Sequence, residues 1–224
     1  MTVRVMLISP ALNAALREAR FDGDVPLDAA GVRRARAAAP GVPDAGLRLH
    51  GPSGRCAGTA GALGLRTVSE PAVRGWDMGR WSGRRLDEVS AAEPAAVSAW
   101  LTDPSAAPHG GESLLELCSR AGRWLDSLGS GEDREGGNAS EVREGGKASE
   151  VREGAEGREG REERRVLAVV EPSVVRAAVV SALALPPESF WRLDVAPLTV
   201  TGLTGRSGRW NLRCGHPLSP APAD

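Results

Sequence analysis

The chain has 224 residues, of which 41% are hydrophobic and 25% charged, enough to bury the core of one ordinary globular domain and unlike a fibrous chain or a disulfide mini-protein. Its 28 basic and 29 acidic residues give a net charge of −1, so no global field draws it to nucleic acid or to an anionic membrane surface. Cys56, Cys118 and Cys214 are scattered and lack CxxC spacing, which suits small buried thiols in a reducing cytosol better than a disulfide framework or a zinc site.

The apolar run Val3–Ile8 reads as a buried first strand. It is a poor secretory signal, because Arg4 alone makes a thin basic start and Pro10 interrupts the run, so the expected compartment is the cytoplasm. A helix is predicted from an Asp28 cap through Ala38, a strand over Leu47–His50, a helix over Cys56–Leu63 and a strand over Arg66–Ser69. Helices follow over Leu86–Ala92, over Pro94–Leu101 with proline in the first turn, and over Ser113–Leu128, where Ser113 and Glu116 form a capping box. Strand Val166–Val170, helix Ser173–Leu183 and strands Leu198–Leu203 and Arg209–Cys214 complete the pattern. No stretch approaches the roughly 20 apolar residues of a membrane span.

Strands alternating with helices imply an α/β fold, a three-layer sandwich whose mostly parallel central sheet is flanked by helices. Between Gly131 and Arg165 the composition changes: REGGNASEV from Arg134 is followed by REGGKASEV from Arg143 and then by decayed copies. With almost no apolar residue to bury and helix-breaking glycine pairs, this segment is expected to be a disordered insertion. The expected organisation is a single domain of residues 1–130 and 166–214, an insertion at 131–165 and an unstructured proline-rich tail at 215–224. The six tryptophans, in a chain with no tyrosine and two phenylalanines, read as large core fillers.

The segments LISPALNAALREARFDGDVPLDAAG, GPSGRCAGTAGALGL with VRGWDMGRWSGRRLDEV, APHGGESLLELCSRAGRWLD and VLAVVEPSVVRAAVVSALAL resemble, in order and spacing, the histidine phosphatase superfamily in its phosphoglycerate mutase-like, alpha-ribazole phosphatase-like branch. The resemblance spans nearly all of the chain outside the repeats and the tail. It implies the phosphoglycerate mutase-like fold and a chemistry in which a histidine after the first strand takes a phosphoryl group while arginines and a second histidine clamp its oxygens.

The residues that would carry this chemistry differ. Where the family motif has Arg-His-Gly stand Ser9, Pro10 and Ala11, and proline has no nucleophilic nitrogen and no backbone donor. The proton donor falls on Gly75, with Asp77 nearby as a substitute. The second histidine falls on Glu171, whose carboxylate repels a phosphate dianion. Arg55 keeps the second arginine position at a helix start, where with Ser9 and Asn13 it is a candidate phosphate-binding group, or else pairs with Glu171 and fills the pocket. Glu112 and Ser113 match a rim segment, and Ser113 is equally a helix cap.

Three functions follow as expectations. The first is a pseudophosphatase that keeps at most an oxyanion or phosphometabolite pocket and acts by binding or regulation. The second is a phosphoester hydrolase in which Glu171 or His50 activates water. The third is a metal-binding accessory protein built on His50, Glu171 and His109, residue types that suit zinc, cobalt or nickel. No cofactor is implied; the expected partners are a small phosphorylated metabolite or anion, or another protein, and neither nucleic acid nor membrane.

Overall fold

A computed structural model describes residues 2–21, 24–129 and 164–218. Its strands are β1 (Val3–Ile8), β2 (Leu47–His50), β3 (Val68–Ser69), β4 (Arg164–Val169), β5 (Thr199–Arg206) and β6 (Arg209–Pro217). Its α-helices are α1 (Ala14–Arg17), α2 (Ala29–Ala38), α3 (Gly54–Ala62), α4 (Leu86–Ala92), α5 (Pro94–Thr102), α6 (Leu114–Gly129) and α7 (Pro172–Ala182).

The strands form one sheet in the order β3-β2-β4-β1-β5-β6. β1, β4, β2 and β3 run parallel, as expected for strands separated by helical crossovers. β5 lies antiparallel to β1, and β6 antiparallel to β5, so the sheet is mixed. Only Ser207 and Gly208 separate β5 from β6, and Gly208 at φ +73° supplies the tight turn of a hairpin, which cannot be parallel.

Both faces of the central strands are covered, which explains their unbroken apolar runs. Val5 and Leu7 of β1 face a core shared with Leu117 and Trp124 of α6 and Val174 of α7. Met6 and Ile8 face a second core with Ala35 of α2 and Cys56 and Ala60 of α3. A third cluster, Met78, Trp81, Val89, Val97 and Trp100, binds α4 and α5 to the loop before them.

Two expectations about boundaries are corrected. β6 continues through Pro217, pairing with Thr199, and Leu218 is buried with its amide on the Leu198 carbonyl, so residues 215–218 belong to the domain rather than to a loose tail. Arg164 and Arg165, assigned to the insertion, form the first rungs of β4 opposite Val3 and Arg4. The remaining insertion, 131–163, and the remaining tail, 219–224, lie outside the described residues. The carboxyl ends of β1, β4 and β2 deliver Ser9, Glu171 and Gly51 to one edge of the sheet, the edge where ligands collect in open α/β folds.

Candidate functional site

Glu171 follows β4 and stands at the cap of α7, with Pro172 in the first turn. Its backbone carbonyl receives the amides of Val174 and Val175 at 2.9 and 3.1 Å, but its side chain leaves its own helix and crosses to α3. There the carboxylate pairs with Arg55, whose Nη2 meets Oε2 and whose Nε donates to Oε1 at 3.3 Å. Ser53 Oγ donates to Oε1 at 2.8 Å while accepting the Cys56 amide, capping α3, and Cys56 Sγ donates to the same oxygen at 3.4 Å. Arg55 is 2% and Glu171 4% exposed. Of the two readings of Arg55, the geometry realises the pair with Glu171: the guanidinium already holds a carboxylate, side by side and away from water.

Gly75 makes this possible. A Cβ built there would lie 3.2 Å from Glu171 Cγ, tighter than an ordinary contact, so a larger side chain at 75 presses on the stem that carries the carboxylate to Arg55. Gly75 and Glu171 are sterically fitted to one another.

Ser9 and Asn13 are both fully buried and hydrogen-bonded within the protein. Ser9 donates its hydroxyl to the Ala196 carbonyl, and its backbone pairs with Thr199 and Leu198. Asn13 caps α1 through Oδ1 on the Leu16 amide and donates Nδ2 to the Val25 carbonyl at 2.7 Å. Next to Pro10, the Ala11 amide is taken by Thr59 Oγ1 at 3.3 Å.

The postulated metal set does not assemble among the described residues. His50 ends β2 with its Nδ1 buried and without a hydrogen-bond partner. His109 is 1% exposed, its Nδ1 accepts the Gly111 amide at 3.0 Å, and its ring packs against Trp81 at 5.2 Å. Burial holds the His109 imidazole below its ordinary pKa, Arg80 adding to this and Asp77 opposing it, which keeps it neutral to accept that bond. Among the described residues no three His, Cys, Asp or Glu side chains converge as a metal site.

The rim residues are committed to the frame of the site. Ser113 and Glu116 form the expected capping box of α6, with bonds of 2.7 and 3.2 Å between each side chain and the other's amide. Glu112 makes a bidentate pair with Arg120 of α6, both bonds 2.7 Å. The same guanidinium donates to the carbonyls of Ala72, Arg74 and Gly75, fixing the loop that passes Glu171. Sequence reasoning missed Arg120, which sits on a helix rich in charge with nothing to mark it as buried.

Above the Arg55–Glu171 pair opens a cleft of about 580 Å³. Its walls are aromatic: Phe21, Trp76, Trp100, Phe190 and Trp191, with neighbouring rings 4.8 to 5.9 Å apart. Arg176 of α7 lines it too, its guanidinium 5.6 Å from the centre of the Phe190 ring. Trp81, Trp100, Trp124 and Trp210 are buried as expected of core fillers, whereas Trp76 and Trp191 are only partly buried and face the cleft. The available signal was position: Phe21, Trp76, Phe190 and Trp191 lie in loops and short turns, outside any helical apolar stripe.

A glucosyl-3-phosphoglycerate phosphatase of Mycolicibacterium vanbaalenii is 39% identical over 71 residues, which are 30% of this chain and 32% of that protein, so the chain spans about a third of the length of this relative. A mycobacterial glucosyl-3-phosphoglycerate phosphatase solved with inorganic phosphate superposes with a TM-score of 0.73 at 22% identity, covering 98% of this chain and all of the other. The alpha-ribazole phosphatase of Shigella flexneri gives a TM-score of 0.73 at 18% identity over 99% of this chain and all of the other. Both likenesses confirm the phosphoglycerate mutase-like fold. Residues 11–215, from just past Pro10 to the end of the domain, match the model of the histidine phosphatase superfamily, branch 1, and the chain belongs to that superfamily.

Proposed function

We propose that this chain is a pseudophosphatase: it keeps the histidine phosphatase fold, does not form a phosphohistidine, and works by binding a small anionic ligand. The observation that carries this reading is the buried Arg55–Glu171 pair. In a phosphoryl-transfer site the arginine must be free to take the equatorial oxygens. Here a carboxylate of the protein itself occupies the guanidinium, and a phosphate arriving beside it meets a buried negative charge. Pro10 supports the reading, since it follows β1 where the family nucleophile is expected and has no nitrogen with which to attack phosphorus.

A second reading has its own support, because the relatives are phosphatases by name. In it the chain hydrolyses a phosphomonoester without a histidine nucleophile, with Glu171 or His50 activating water. The test is steady-state turnover of p-nitrophenyl phosphate, a phosphoglycerate and glucosyl-3-phosphoglycerate by the purified protein. The pseudophosphatase reading expects no release of phosphate above that of an Arg55→Ala, Glu171→Ala double variant. Turnover that disappears in Glu171→Ala overturns it in favour of the hydrolase.

A further inference from the structure

The cleft is charged as well as aromatic, and one of its cations stands apart from the others. Arg20, Arg55, Arg74 and Arg176 line it together with Asp24, Asp77 and Glu171. Arg55 is paired with Glu171, Arg20 with Glu18 at 2.9 Å, and Arg74 lies 3.5 Å from Glu112. Arg176 differs from all three: among the described residues no carboxylate lies within ion-pair distance of it, and its Nε is buried without a hydrogen-bond acceptor. Trp100 is 8% exposed and its Nε1 is likewise buried without an acceptor, so the aromatic wall holds two unsatisfied donors. Burial pushes the Arg176 guanidinium down from its ordinary pKa, with the more distant Asp194 acting in the opposite sense. An arginine remains charged throughout, so an acceptor entering the cleft relieves the desolvation that the Phe190 ring offsets only in part.

That Arg176 is the one lining guanidinium without a carboxylate among the described residues also fixes the charge of that acceptor. One free guanidinium above a buried carboxylate balances a monoanion; a phosphomonoester dianion leaves a net negative charge beside Glu171. The walls fix the rest of the ligand, because half-buried indole and phenyl faces stack planar rings and offer few partners to a polyhydroxylated sugar.

We propose that the cleft binds a planar aromatic monocarboxylate, its ring laid against the part-exposed faces of Trp76, Trp191 and Phe21 and its carboxylate on the guanidinium of Arg176. This rests on the reading above that Arg55 and Glu171 neutralise one another, and it deepens that reading by naming the small anion as an aromatic carboxylate.

The test is a titration of tryptophan fluorescence with 2-naphthoate, its neutral analogue 2-naphthamide and the dianionic 2-naphthyl phosphate, on the wild type, Arg176→Met and Trp191→Leu. Melting temperatures without ligand show that each variant is folded. The expected result is saturable quenching by 2-naphthoate, at least about tenfold tighter than by either analogue, with that preference over the amide abolished in Arg176→Met and affinity for both compounds weakened in Trp191→Leu. Equal binding of naphthoate and naphthamide to the wild type, or a preference that survives Arg176→Met, overturns the proposal. Absence of binding by all three compounds also overturns it, and leaves the pseudophosphatase reading standing if phosphoesters are not turned over. Tightest binding of 2-naphthyl phosphate with release of 2-naphthol overturns both.

Discussion

At the scale of single residues, the balance of this site rests on a desolvated ion pair whose halves are worth little apart. Removing one partner of a buried pair leaves an uncompensated charge, at a cost of about 3–5 kcal/mol, whereas replacing both by apolar groups of similar volume is often close to neutral. Arg55→Met and Glu171→Met are therefore each expected to destabilise the fold by that amount, and the double variant to recover most of the loss, as read in urea unfolding. Additive losses would show that the pair is not coupled. Much of this was legible in the sequence, because Arg55, Gly75 and Glu171 sit at definable places in a known pattern and their chemistry follows from residue type. The commitments of Ser9 and Asn13 were not, since Ala196 and Val25, which accept their hydrogen bonds, come from loops that no periodicity places. Arg176 was hidden for a similar reason: VVRAAVV reads as an ordinary apolar helix with one solvated charge, and only packing against Phe190 turns that charge inward.

At the scale of elements, α6 does more than cover the sheet. Through Arg120 it holds Glu112 and three carbonyls, of Ala72, Arg74 and Gly75, in the loop that ends at Gly75, so the position of Gly75 against Glu171 is set from this helix. Arg120→Met leaves Glu112 as a buried carboxylate near only the half-exposed Arg74. A loss of about 3–5 kcal/mol, or roughly 6–20 °C in Tm for a domain of this size, is expected in calorimetry, and a change below about 1 °C would show the clamp to be idle. Glu112 also acts on Cys118: burial first, and this carboxylate second, raise the thiol to about 11, so Cys118 stays a neutral packing residue. The elements themselves were well foretold where period and caps agree: β1, β2, α2 and α4 have the expected bounds, Asp28 caps α2 and Ser113 caps α6. The four-residue α1 is a single turn, too short for an apolar period to repeat, and β6 was cut short because Gly215 and Pro217 read as loop residues, whereas an edge strand tolerates proline at its end.

At the scale of the whole molecule, the described residues on either side of 130–163 lie at the end of the sheet away from the cleft. Gly129 ends α6 against Arg206 and Ser207, and Arg164 starts β4 two strands away from Gly205 through their shared partner Val3, about 10 Å across the sheet. Both attachment points lie at the opposite end of β4 from Glu171, roughly 20 Å along the strand. No helix among the described residues is long and apolar enough to cross a membrane.

The most direct test of whether the fold carries its own anion is to remove that anion and offer another. Thermal unfolding of the wild type and of Glu171→Ala would be followed with and without inorganic phosphate at matched ionic strength. Glu171→Ala strands Arg55 as a buried cation and opens space for an oxyanion, and ligand bound only to the folded state raises stability by mass action. The account predicts a wild-type Tm that phosphate does not move, and a lowered Tm in Glu171→Ala that phosphate raises towards the wild-type value. A wild type stabilised by phosphate, or a Glu171→Ala protein indifferent to it, would contradict the claim that Glu171 occupies the oxyanion seat of this site.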